Sequence, residues 1–304
     1  MNATRTHPYV VEAEGLTKRF GSRVAVDSVD LRIPSGAAFG YLGPNGAGKT
    51  TLIRMFLGLT TATSGSMRLL DLPMPARRAE ALARVGAIVE EPRSHPFLTG
   101  RENLEIVAAA RERAAHMRID GALARVGLTE RADDRVKTYS LGMRQRLGVA
   151  RALLGDPELL ILDEPMNGLD PGGMEDTRLM IRGLVAEGRT VVLSSHLLDE
   201  VEKTCDAIAI VDRGRVVVQG SIEELTGGTE TLLVSTGDDL RARALLNGHE
   251  VEVVEEGLRI HTSDAAKINR RLVEAGIDVH RLEPERVSLE RRFLELTTRL
   301  EAAA

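Results

Sequence analysis

Between residues 10 and 42 the chain reads as β-rich: Val29, Leu31 and Ile33 alternate with polar residues, the period of a half-buried strand. Pro34-Ser35-Gly36 supplies the turn that follows, and Ala37 to Leu42 is a short apolar run of the kind buried inside a sheet. That run passes directly into GPNGAGKT, Gly43 to Thr50, after which Leu52, Met55, Phe56 and Leu59 recur at helical spacing. Val85 to Val89 is another candidate buried strand, closed by Glu90-Glu91-Pro92.

From about residue 92 to 156 the pattern turns helical. Thr99 and Glu102 have capping-box spacing ahead of Leu104, Val107 and Ala108. A second helix centres on Leu123 and Val126 and stops at Gly127; a third opens at Ser140, carries Leu147, Ala150 and Leu154, and ends at Gly155-Asp156-Pro157. Buried strands are then predicted at Leu159 to Leu162, Thr190 to Leu193 and Ala207 to Val211, with Asp212-Arg213-Gly214 turning into Val216 to Val218. Strands alternating with helices predict an α/β fold with a largely parallel sheet and antiparallel pieces at its margins.

Thr226-Gly227-Gly228-Thr229 is the candidate linker. Beyond it the order is strand (Leu232 to Ser235), helix (Asp239 to Leu246), hairpin (Glu250 to Thr262), helix (Ala265 to Ala275) and strand (Asp278 to Leu282), a small α+β domain. A last amphipathic helix carries Leu289, Phe293, Leu296 and Leu300 on one side.

Composition narrows the function classes. The 304 residues allow two domains, and 43% hydrophobic with 28% charged residues is ordinary for a folded globular chain. A net charge of −5, with no Trp and 3% aromatics, argues against a nucleic-acid partner. The lone Cys205 excludes an internal disulfide. No apolar run approaches the ~18 residues of a membrane span, and Met1 to Val10 lacks the apolar core of a secretory signal, so a cytoplasmic protein is expected.

The chemistry concentrates in a few motifs. Gly43, Pro44, Asn45, Gly46, Ala47, Gly48, Lys49 and Thr50 match G-x-x-x-x-G-K-[ST], with Thr51 next in the helix. Its glycines let successive N–H groups face a phosphate, Lys49 can reach the β- and γ-phosphates, and Thr50 can offer a hydroxyl to Mg²⁺. A hydrophobic strand ending in Asp163 supplies a second Mg²⁺ ligand, and Glu164 beside it can orient and deprotonate an attacking water. Read alone, Asp163-Glu164 is equally a strand ending in two solvated acids.

YSLGMRQR, Tyr139 to Arg146, resembles the signature motif of the ABC ATPases, usually LSGGQ followed by Gln or Lys and Arg. Leu141 departs from that pattern, standing where the family prefers Gly, and Met143 stands where it often has Gln. The resemblance extends over most of residues 10–226 and implies an ABC-type P-loop fold with a helical subdomain at about 92–156, followed by an accessory domain at 229–304. It implies that Ser140 and Gly142 contact the γ-phosphate across a dimer interface, that Asn167 to Asp170 touch the partner, and that His196 contacts the γ-phosphate and the catalytic Glu164. It also implies that Phe20 stacks on adenine, although that residue is equally open to a core role. Glu90 stands where the family has a Gln that helps ligate Mg²⁺ and meets the transmembrane partner; in this it resembles bacitracin and lantibiotic exporter ATPases. SLERRFLELT resembles the closing segment of drug-exporter ATPases. The implied function is the ATP-hydrolysing subunit of a bacterial ABC exporter, with ATP and Mg²⁺ as cofactors. It would act as a head-to-tail homodimer, peripheral on the inner membrane face through a separate permease. The alternative is a soluble ABC ATPase of translation or DNA handling.

Overall fold

In the computed structural model, the structure describes residues 8–89, 93–111, 113–226, 231–262, 264–285 and 288–292. They form two compact units that divide between Ser221 and Ile222.

The first unit opens with the antiparallel hairpin Tyr9–Phe20 (β1) and Arg23–Pro34 (β2). Ala38–Leu42 (β3) then leads through residues 43–48 into Lys49–Phe56 (α1). Leu59, expected on the buried face of that helix, lies beyond its end and is exposed, because Gly58 takes φ +61 and terminates the turn. Next come Ser64–Leu69 (β4), Leu72–Met74 (β5), Arg78–Ala83 (α2) and Val85–Ile88 (β6). The helical segment comprises Gly100–Ala109 (α3), Arg113–Met117 (α4), Ile119–Arg125 (α5) and Leu141–Leu153 (α6). The chain returns through Leu159–Asp163 (β7), Pro171–Ala186 (α7), Thr190–Ser195 (β8), Leu198–Thr204 (α8), Ala207–Asp212 (β9) and Arg215–Ser221 (β10).

Two sheets result. One is antiparallel, in the order β2-β1-β4-β5; the other runs β10-β9-β3-β8-β7-β6 and is parallel except for its β10 edge. Every residue of β3, β7 and β8 is buried, which is why those strands read as continuous apolar runs rather than alternating ones. The capping box is formed in full: Glu102 N donates to Thr99 Oγ1 (3.1 Å) and Thr99 N donates to the Glu102 carboxylate (2.7 Å).

The second unit contains Ile222–Thr226 (α9), Thr231–Thr236 (β11), Asp239–Leu245 (α10), Val251–Val254 (β12), Gly257–His261 (β13), Ala265–Glu274 (α11) and Val279–Pro284 (β14). Strand order β12-β13-β11-β14, antiparallel throughout, with a helix after the first and third strands, is the ferredoxin-like arrangement. Its core gathers Leu232, Val234, Leu246, Leu258, Ile260 and Leu272. The division precedes the glycine-rich candidate linker because Arg292 Nε donates to Leu225 O (3.1 Å), tying α9 to this unit. Residues 227–230, with most of that linker, lie outside the described residues, as do Phe293, Leu296 and Leu300 of the expected last helix. No helix among the described residues is long and apolar enough to cross a membrane.

Candidate active site

Parallel pairing brings three strand ends together. Leu42 pairs with Ser195 and Asp163 with Ser194, so the loop after β3, the His196 turn after β8 and the acidic end of β7 share one edge. The loop is anchored from below: Gly43 N donates to Ser195 O (3.4 Å), and Gly214 N donates to Ala47 O (3.1 Å). Gly48 adopts φ +101, and a Cβ there would stand 2.2 Å from Ala25 O of β2; only glycine fits.

Lys49 is 6% exposed although charged. Its Nζ donates to Gly43 O (2.7 Å) and Pro44 O (3.3 Å) and lies 3.2 Å from Glu164 Oε1. The other oxygen of Glu164 is 2.8 Å from His196 Nδ1. One carboxylate therefore bridges the loop cation and the imidazole. Glu164 itself takes φ +49, an uncommon conformation for a residue with a side chain.

Ser194 holds the two acids in place. Its Oγ donates to Asp163 Oδ1 (2.5 Å) and accepts from Glu164 N (2.9 Å), while the Asp163 side chain is buried at the strand end. Sequence reasoning missed Ser194; its signal was a Ser-Ser pair closing an apolar strand just before His196. Thr50 and Thr51, in the first turn of α1, are half-buried.

Ser140 and Gly142 join a different group. Ser140 caps α6, its Oγ accepting from Met143 N (3.2 Å), and Gly142 packs beside Leu169. Asp170 caps α7 by accepting from Gly173 N (3.2 Å), with Pro171 opening the helix. Phe20 is 51% exposed at the end of β1, with Lys18 Nζ 4.9 Å from its ring centroid, so it is not a core residue. Pro44, Asn45 and Gly46 are exposed at the loop tip, and Ala47 is buried. Glu90 lies outside the described residues. Among the described residues no cluster of three or more His, Cys, Asp or Glu could hold a metal. Cys205 is buried, and burial pushes its thiol up, away from the reactive thiolate.

Residues 26–167 match the family described as ABC transporter. The chain is 40% identical over 294 residues to the uncharacterized ABC transporter ATP-binding protein YdbJ of Bacillus subtilis, covering 95% of this chain and 96% of that one. It is 39% identical over 296 residues to the bacitracin transport ATP-binding protein BcrA of Bacillus licheniformis (94% and 97% covered). A further relative, the Nod factor export ATP-binding protein I of Ralstonia nicotianae, is 38% identical over 252 residues (81% and 78%). Among solved structures, cbiO1 of Clostridium perfringens, part of the ABC transporter complex cbiONQ, superposes with a TM-score of 0.67 at 26% identity, covering 72% of this chain and 91% of that one. These relatives are transporter or export subunits; none supports a role in translation or on DNA.

Proposed function

The chain belongs to the ABC transporter ATP-binding proteins, and we propose that it is the ATP-hydrolysing subunit of an exporter, working as a pair of chains on the cytoplasmic face of a separate permease. ATP binding and hydrolysis are the activity of this family. The export direction draws on the relatives named for Nod factor export and bacitracin transport; a drug, antibiotic or peptide cargo is the corresponding class. In this reading the first unit is the nucleotide-binding domain, and the second, which takes α9 with it, is an accessory domain.

The observation that carries this reading is the Lys49–Glu164–His196 chain of contacts. A triphosphate in the loop competes with Glu164 for the Lys49 ammonium, which leaves the carboxylate to accept a proton from the attacking water. His196 orients that carboxylate and faces the γ-phosphate. Phe20, exposed on the hairpin whose β2 strand supports Gly48, stacks on the adenine. Ser140 and Gly142 of one chain close over the nucleotide held by the other in a head-to-tail homodimer. Mg²⁺ fits the donor set: a buried carboxylate and a threonine hydroxyl are hard oxygen ligands, few enough to leave room for phosphates and water. Asp163 and Thr50 would hold the ion, which when bound neutralises charge on the β- and γ-phosphates. Glu90, outside the described residues, would add a third oxygen ligand and the contact to the permease.

Glu164→Gln tests the assignment. It keeps the shape and removes the base, so ATP binding is retained and hydrolysis falls by about 10²–10⁴-fold. Unchanged turnover in the purified protein contradicts it.

A further inference from the structure

Gln145 lies on α6, in the turn after Ser140 and Gly142. Its Nε2 donates to Asn167 O (3.3 Å), and Asn167 N donates to Glu164 O (3.1 Å). One side-chain amide and one tight turn thus separate the helix end bearing Ser140 from the residue bearing the base. Packing follows the same route: a Cβ on Gly168 (φ +73) would lie 3.0 Å from Leu141 Cδ2, so this loop rests directly against the first turn of α6. The Gln145 Oε1 is buried and, among the described residues, meets no hydrogen-bond partner, at the wall of a cavity of about 530 Å³ that Asp163, Glu164 and Asn167 also line. An unmet buried carbonyl oxygen is costly, and an apolar side chain of similar size would avoid that cost. What the amide contributes is therefore its donor.

We propose that Gln145 is a positioning residue: it fastens the Asn167 backbone, and through it Glu164, to the helix end that meets the partner's nucleotide. This rests on the function proposed above. Nucleotide held by one chain presses on Ser140 and Gly142 of the other, and the Gln145 tie carries that engagement to the second chain's own Glu164. Each site of the dimer then senses the other.

The test measures ATP hydrolysis against ATP concentration for the full chain, Gln145→Leu and Gln145→Glu. Both variants lose the donor; Leu also removes the unmet oxygen, so its melting temperature holds or rises. The expected result is a kcat about tenfold lower, a KM for ATP within about twofold, and a Hill coefficient that falls from above 1 in the original chain to 1 in both variants. In a Glu164→Gln background, Gln145→Leu leaves ATP-driven dimer formation intact, because Ser140 and Gly142 are untouched. Unchanged kcat and Hill coefficient overturn the proposal, as does a Hill coefficient of 1 in the original chain. Failure of the underlying reading is seen separately, as normal hydrolysis by Glu164→Gln alone.

Discussion

The cluster at the strand ends and the first turn of α6, the two halves of the proposed site, are built differently. At the strand ends the charged groups meet one another: Lys49 reaches Glu164, Glu164 reaches His196, and Ser194 braces Asp163. At α6, Ser140 and Gly142 satisfy only their own helix and the loop beside it. The first group has a cation, a carboxylate and a glycine-rich loop in one place. The second has a helix N-terminus, which favours an anion, with no anion of its own chain assigned to it. On the proposed function, the difference means that one chain holds the nucleotide and offers its other half to a second chain.

Removing the cation has the largest expected effect on this contrast. Lys49→Ala weakens ATP binding by about 100-fold, about 2.7 kcal/mol, as measured by fluorescent-nucleotide titration; near-normal affinity would erase the distinction between the halves. Gly142→Asp sharpens it. An acid in the first turn suits the helix dipole, so the fold tolerates it, while its charge repels a partner's γ-phosphate. Hydrolysis falls by about 10–100-fold, yet a single chain binds ATP as before; loss of binding by the isolated chain would place Gly142 in its own site. The smallest effect belongs to a residue outside both halves. Asp156 accepts from Arg189 (2.8 Å), and that bond holds its carboxyl below the ordinary carboxylate range. A depressed folded-state pKa gives stability that is complete above the unfolded pKa of about 3.9 and is lost as pH falls through the folded value. Because the side chain is half-exposed, Asp156→Asn costs less than about 1 kcal/mol at pH 7. Thermal melts from pH 7 to 2 should show the difference shrinking below about pH 4, with activity unchanged.

The parallel strands were readable because burial on both faces makes them apolar throughout, and the loop after β3 because phosphate chemistry restricts its residue types. β4 was missed because Ser64, Gly65 and Ser66 are exposed and only Met67 and Leu69 point inward. α7, the longest helix among the described residues, was hidden by Gly172, Gly173 and Gly183, although Asp170-Pro171 marked its start. Leu59 shows the opposite error, helical spacing carried past a glycine that stops the helix. Lys49, Asp163 and Glu164 were legible as residue types. The bridging geometry of Glu164 and the brace from Ser194 were not, because both depend on β8 lying between β3 and β7.

The most direct test of the divided site mixes two impaired proteins. Lys49→Ala chains keep an intact α6 end, and Gly142→Asp chains keep an intact loop and base. Paired head to tail, they rebuild one complete site from opposite halves. The measurement is ATP hydrolysis by each protein alone and by their equimolar mixture. Hydrolysis in the mixture well above that of either variant alone is the predicted result; a mixture no more active than its components contradicts a site shared between two chains.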